Sequence, residues 1–563
     1  MRRNGRPVNK LRSLIAQVVR FIAKTITMIF FWIIFNGIID FLISLTGIRP
    51  PLLVELFMTL CTLGLFINIF FDVNVLRPVI NYYSRTRNKK NLPAESDDPQ
   101  IKTFPVLKLG CSTGHLQSLS HGSGVSPGQD IALSMEDASQ NILVLGGIGS
   151  GKTTRVMHSL LFQLLKEGYG GLIFDIKGDF IEATGKLAED ANRDDIIAFG
   201  PGHEKMNLLS GLSPEISASF LKSAFLLSGS RADGFWIDTA TELCRNALGV
   251  ISFLPKHYSL EGLNSYLFDE NKREELDASV RELLPELDER KTRLLRSYLN
   301  YHESVFSRFD EKVISGVYAT VAQVLSPFSH PDLIDAFCTE PDPPEGDQPV
   351  YMEDVLLPFV IFIDLPLSIW GMGAKVVYTF IKLRFFNIMQ RRHTDSAHDY
   401  EGPVFFMCDE YQEIISANKD GLSDLNFWDK SRSSKTIGII SSQSISSIYA
   451  SINHRDLANA ILQNFRQKIC FRTEDQVTID MLHRLLGRVE VEKLGSSQGE
   501  TNPSSIFGSS NPSQQWSENI TTIEKAVLDP QLIRNLHQGQ ALALLSINGK
   551  SQDDVINTTP IYI

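Results

Sequence analysis

Hydrophobic positions are spaced differently in different parts of the chain. Near the start, two long apolar runs stand at 26–45 (ITMIFFWIIFNGIIDFLISL) and 51–71 (PLLVELFMTLCTLGLFINIFF). Each matches the ~20 residues that cross a hydrocarbon core as a helix. Past a polar stretch at 91–100 the runs become short: 141–145 (NILVL), 171–175 (GLIFD), 194–199 (DDIIAF), 358–364 (PFVIFID), 403–410 (PVFFMCDE) and 436–444 (TIGIISSQS). Runs this short, bounded by polar residues and separated by amphipathic stretches such as 154–168, predict parallel strands covered on both faces. From about 212 to 340 the spacing is helical throughout, as in FWIDTATELCRNALGVISFL (235–254) and ISGVYATVAQVLSPF (314–328). The expected architecture is α/β. A membrane anchor (1–90) precedes a nucleotide-binding domain in two parts (91–211 and 341–563), interrupted by an all-α domain (212–340).

Charge gives the anchor an orientation. Thirteen Lys/Arg and three Asp/Glu lie within 1–90, so the remaining residues carry 41 basic against 62 acidic side chains within a whole-chain charge of −11. The basic residues flank the apolar pair, and only Arg49 lies between the runs. The positive-inside rule then puts both ends in the cytoplasm, with a short outer loop at 46–50. The first run is too long for a signal peptide, and no small-residue cleavage site follows it. A buried hairpin of core helices is the alternative. Asp40 and Glu55 lie inside the runs, where charge is costly, and are expected to face another helix or the interface. Six scattered cysteines with no C-x-x-C pair exclude a disulfide scaffold, a zinc ribbon and an iron–sulfur site, and fit a reducing compartment. The histidines, His393 and His398 among them, show no metal-ligand spacing. The acidic body excludes a globally basic DNA-coating protein, so any nucleic-acid contact is local. Lys177 is a candidate pore lysine.

The strand at 141–145 runs straight into GGIGSGKT, Gly146 to Thr153, and then into a helix. This is a phosphate loop in its required strand–loop–helix context. Gly146, Gly147, Gly149, Ser150 and Gly151 let backbone N–H groups face a phosphate. Lys152 reaches the β- and γ-phosphates, Thr153 offers its hydroxyl to Mg²⁺, and Thr154, which opens the helix, is the last of the candidate nucleotide-binding residues. The run ending CDE places Asp409 as a second Mg²⁺ ligand and Glu410 as the group that orients and polarises the attacking water. Gln443, at the end of another strand, is the candidate γ-phosphate sensor. Arg432, in a helical-looking run, is a candidate arginine acting on a neighbouring subunit. Nineteen of the 24 residues at 495–518 are Gly, Ser, Asn, Gln, Pro or Thr, which predicts a mobile loop or linker.

GGIGSGKT, LIFDIKGDF, FFMCDE and the pair SRSSK…IISSQS together resemble the type IV secretion coupling proteins, membrane-anchored motors related to septal translocases. Phe235-Trp236…Ala240, GVYATVAQVLSPFSHPDLIDAF and LHQGQALALLSINGK extend the resemblance over nearly the whole chain. It implies a RecA-like ATPase using ATP and Mg²⁺, with two transmembrane helices in a bacterial inner membrane and its bulk in the cytoplasm. It implies a homo-hexamer that delivers single- or double-stranded DNA, with a relaxase or accessory protein, to type IV channel components. In the alternative reading the motor exports protein effectors. Some such proteins choose partners through a long acidic C-terminal tail, which the sequence does not carry.

Overall fold

The computed structural model describes residues 106–561, apart from 229–233, 342–348, 393–401, 420 and 502–512. The apolar runs at 26–45 and 51–71 lie outside the described residues, as do His393 and His398. Among the described residues no helix is long and apolar enough to cross a membrane.

The strands are β1 (Val106–Ser112), β2 (Asp130–Ser134), β3 (Ile142–Leu145), β4 (Gly170–Asp175), β5 (Ile196–Phe199), β6 (Val360–Asp364), β7 (Val404–Cys408), β8 (Thr436–Ser442), β9 (Gln467–Cys470), β10 (Arg488–Thr501), β11 (Ser513–Ala526), β12 (Gln540–Ile547) and β13 (Lys550–Asn557). Eleven of them form one sheet in the order β2-β1-β13-β12-β9-β3-β8-β7-β4-β6-β5. The strands from β9 to β5 run parallel, and β12, β13, β1 and β2 extend the sheet antiparallel. The sheet is therefore mixed, where the apolar runs alone gave a parallel one. The antiparallel strands escape that reading because β13 is polar (KSQDDVIN). Its Asp554 is buried for a structural reason: the carboxylate accepts the Gly114 and Leu116 N–H groups at 2.6 and 2.9 Å.

Strand interiors are apolar on both faces because both are covered. In β3, Leu143 and Leu145 face one core while Ile142 and Val144 face the other. The second core is capped by the helices His158–Lys166 and Ile181–Asp190. On the first face lie the helices between β5 and β6, from Pro214–Leu227 and Gly234–Ile251 to Glu311–Leu325 and Pro331–Phe337. No strand falls among them in the described residues. Their apolar faces join those of the long helix Leu367–Arg391 and of the sheet in one continuous core. Local signals start these helices: Ser213 accepts the Ile216 N–H with Pro214 in the first turn, and Ser259 accepts the Gly262 N–H at 3.0 Å.

Within the low-complexity segment at 495–518, residues 495–501 and 513–518 are strand rather than loop, and 502–512 lie outside the described residues. Strands β10 and β11 pair antiparallel without a break from Arg488↔Ala526 to Thr501↔Ser513. Composition misleads here because an antiparallel ribbon satisfies its own backbone bonds, which residues such as Ser, Thr and Gln supply as well as apolar ones.

Candidate functional site

Parallel register sets the place of the site. Leu145 lies level with Ser442 and Cys470, and Phe174 with Cys408, so the strands β9, β3, β8, β7 and β4 end along one edge. At that edge the 146–152 loop leaves β3. Gly146 and Gly151 take φ of +152° and +98°, which side chains rarely adopt. A Cβ on Gly146 would also come within 2.8 Å of Phe471. The loop is fastened to β9's exit by the Gly147 N–H, which donates to Arg472 O at 2.9 Å. A π-turn over Thr153–Met157 then leads into the helix His158–Lys166; such turns concentrate at functional positions.

Lys152 is buried, and its ammonium donates to the Gly146 and Gly147 carbonyls at 2.8 and 3.4 Å. Burial draws its pKa below the ordinary lysine value, against the opposing pull of Asp409 and Glu410. The Ser150 hydroxyl is buried without a hydrogen-bond partner among the described residues. The Thr153 hydroxyl donates to Asp409 Oδ2 at 3.1 Å. Asp409 Oδ1 accepts the Glu410 N–H at 3.0 Å and also the Ser441 hydroxyl.

Glu410 is only 4% exposed and has φ +54°, an uncommon backbone state for a residue with a side chain. Its carboxylate accepts from Gln412 Nε2 at 2.6 Å and Gln443 Nε2 at 3.3 Å, and it pairs with the Lys177 ammonium at 2.5 Å. Lys177 also lies 3.6 Å from Asp409 Oδ2. Lys177, a candidate pore residue in the sequence, pairs here with the two carboxylates.

A buried knot supports this arrangement. Lys382 and Asp424 pair at 2.6 Å, both side chains fully buried. Asp424 also accepts the Ser416 N–H at 2.7 Å, the Ser416 hydroxyl at 2.9 Å, Trp428 Nε1 at 2.9 Å and the Tyr411 hydroxyl. Lys382 donates further to Ile414 O and to Ser416 Oγ. Burial lowers the Lys382 pKa while Asp424 opposes. The knot pins residues 411–416, immediately after Glu410, and so holds Glu410 in its left-handed conformation.

The structure thus gathers the 146–154 loop, Asp409, Glu410 and Gln443 at one edge. Arg432 is not among them. It is exposed, in the turn that enters β8, and seven strand residues separate it from Gln443, roughly 23 Å at ~3.3 Å per residue. Within its own chain it lies at the opposite edge of the sheet. Sequence reasoning did not find Ser441, Gln412 or the Lys382–Asp424 pair. Ser441 is legible only once the β7–β8 register is known, and the ion pair joins residues 42 positions apart in two apolar-looking segments. Among the described residues, no three His, Cys, Asp or Glu side chains gather as a closed metal centre.

A family model described as a type IV secretion-system coupling protein DNA-binding domain matches residues 128–251. Another, described as the TraM recognition site of TraD and TraG, matches residues 403–538. The fold is similar to that of the bacterial conjugative coupling protein TrwBdeltaN70, with TM-score 0.54 and 14% identity over 82% of this chain and 96% of that one. It is similarly close to the plasmid coupling protein TrwB in complex with the ATP analogue ADPNP (TM-score 0.52, 15% identity, 82% and 96% covered) and with ADP and Mg²⁺ (0.53, 13%, 83% and 97%). No curated protein matches the chain.

Proposed function

The chain belongs with the type IV secretion-system coupling proteins, and from that premise we propose that it is an ATP-hydrolysing motor that delivers DNA, or a relaxase–DNA complex, to a transfer channel. The observation that carries the reading is the contact of the phosphate-loop Thr153 with Asp409 at 3.1 Å, beside a Glu410 bonded to Gln443. Motif residues separated by more than 250 positions meet where a nucleotide's phosphates would lie.

Each group has a task in hydrolysis. Backbone N–H groups of 146–151 and the Lys152 ammonium hold the β- and γ-phosphates, and the unpartnered Ser150 hydroxyl is a spare donor in the same loop. The Thr153 hydroxyl and Asp409 carboxylate are hard oxygen donors suited to Mg²⁺, which needs few protein ligands beside phosphates and water. Mg²⁺ held there would supply neutralisation of the phosphates' negative charge. Glu410 orients the attacking water and takes its proton on a carboxylate oxygen. Gln443, hydrogen-bonded to the same carboxylate, couples that oxygen to the γ-phosphate. Arg432, remote from its own site, serves a neighbouring copy in a homo-hexamer.

The remaining assignments belong to the same proposal. Residues 1–90 anchor the chain in the bacterial inner membrane through helices at 26–45 and 51–71, with the bulk in the cytoplasm. Residues 91–211 and 341–563 form the motor and 212–340 its all-α domain. The match described as a TraM recognition site supports a protein partner at 403–538, and the DNA-binding description supports nucleic acid at 128–251. ATP hydrolysis by the full chain in lipid, with and without single-stranded DNA, tests the reading. We expect DNA-stimulated hydrolysis that Glu410→Gln abolishes. Hydrolysis indifferent to DNA would instead favour protein export, and its complete absence would refute the motor.

A further inference from the structure

Lys177 owes its position to a turn built for the purpose. β4 ends at Asp175, whose buried carboxylate accepts the Gly178, Phe180 and Ile181 N–H groups at 2.7, 2.8 and 3.1 Å. The Tyr378 hydroxyl donates to the Asp175 carbonyl at 2.6 Å. The 176–180 turn is therefore fixed, with Lys177 leaving it toward the end of the neighbouring β7. In this structure Lys152 donates to its own loop's carbonyls, and Lys177 is the cation that pairs with Asp409 and Glu410 among the described residues.

This ion pair is built unlike the structural one nearby. Lys382 and Asp424 are both at 0% exposure. The Lys177 side chain is 43% exposed while that of Glu410 is 6%. One partner is held by Gln412 and Gln443 whatever the lysine does, and the other has a flexible stem in water. Two lysines and two carboxylates cancel in charge. A triphosphate entering beside Thr153 would add several negative charges within reach of this exposed lysine as well as of Lys152, and an ammonium binds phosphate as a point charge. Burial opposes the charge on Lys177, but the hydrogen bond and charges of Glu410 and Asp409 outweigh it and raise its pKa.

We propose that Lys177 is a second phosphate-directed lysine, which holds Glu410 while the site is empty and moves to the terminal phosphate of a bound nucleoside triphosphate, freeing Glu410 for the water. The proposal rests on the ATPase reading of the site. Its test is binding rather than turnover: the affinities of the full chain for ADP and for a non-hydrolysable ATP analogue, in wild type and Lys177→Met. We expect the variant to lose about tenfold or more in affinity for the analogue, the scale of one charge-assisted hydrogen bond, and to hold ADP within about twofold. The loss should persist in a Glu410→Gln background, because the ammonium acts on the phosphate as well as through Glu410. Equal loss of both nucleotides, no loss of either, or disappearance of the effect in the Glu410→Gln background would overturn the proposal and leave the ATPase reading intact. If Lys177→Met binds no nucleotide at all, Lys177→Gln is judged by the same ratio. Wild-type protein that binds neither nucleotide would overturn both.

Discussion

Two clusters of lysine and carboxylate flank Tyr411, and they are organised in opposite ways. At the sheet edge, Glu410 and Asp409 meet Lys177, an exposed side chain that can leave. One residue further along the chain, the Tyr411 hydroxyl enters the knot of Lys382 and Asp424, from which water is excluded and in which Asp424 accepts from Tyr411, Ser416, Trp428 and Lys382. Taking two charges out of water costs several kcal/mol per ion unless geometry and extra hydrogen bonds compensate. The knot supplies that compensation in full and is rigid as a result. The edge cluster leaves a charge in water and keeps freedom to rearrange. The same chemical groups thus serve as a fixed base and as a working site, and burial decides which.

Substitutions in the two clusters separate these roles. The largest effect is expected for Glu410→Gln, which should lower ATP turnover by about 10²–10⁴-fold while thermal stability, read by calorimetry, shifts little, because the partially exposed pair contributes little to folding. A large fall in thermal midpoint would mean that the edge cluster is structural after all. Lys382→Met should do the reverse first. It strands Asp424 in the core, costing about 3–5 kcal/mol, read as a lower denaturation midpoint. A stable Lys382→Met protein would remove the distinction drawn above. Tyr411→Phe sharpens the link between the clusters. It removes one of several donors to Asp424, about 1 kcal/mol, yet loosens the backbone beside Glu410, so turnover should fall by more than that stability loss implies.

The smallest expected effect concerns a half-buried lysine with no carboxylate to answer it among the described residues. Lys468, on β9, donates to Phe465 O at 2.5 Å. Burial, and then Arg466, lower its pKa to about 8, against ~10.4 in an unfolded chain. Between those values the unfolded state holds more protons, so stability should rise with pH from about 8 to about 10. Urea midpoints of wild type and Lys468→Met across that range should show the rise flattened in the variant, by at most about 1.4 kcal/mol per pH unit. An identical pH profile would show that the ammonium is hydrated in the folded state.

The sequence was most legible where both faces of an element are buried. The strands β3, β4, β6, β7 and β8 stand out as short apolar runs because parallel strands cannot afford polar positions, and the phosphate loop stands out because its spacing has one purpose. β13 stayed hidden because its buried Asp554 is a cap, and the outer parts of β10 and β11 because paired strands can be built from polar residues. The strands carrying Asp409 and Gln443 can be read locally. The place of Lys177 cannot, since it depends on β4 lying beside β7, strands more than 220 residues apart in sequence. Glu410's left-handed backbone depends likewise on the contact of Asp424 with Lys382.

The far end of the described chain returns to the phosphate loop. The Ile561 N–H donates to Thr154 O at 3.0 Å and Arg155 Nη1 to Thr558 O at 3.1 Å, while the β1–β2 hairpin joins the sheet only through β13. During translation the GGIGSGKT segment emerges some four hundred residues before the strand and strap that brace it. A nascent chain therefore lacks these braces on its phosphate loop until residues 550–561 have cleared the ribosome.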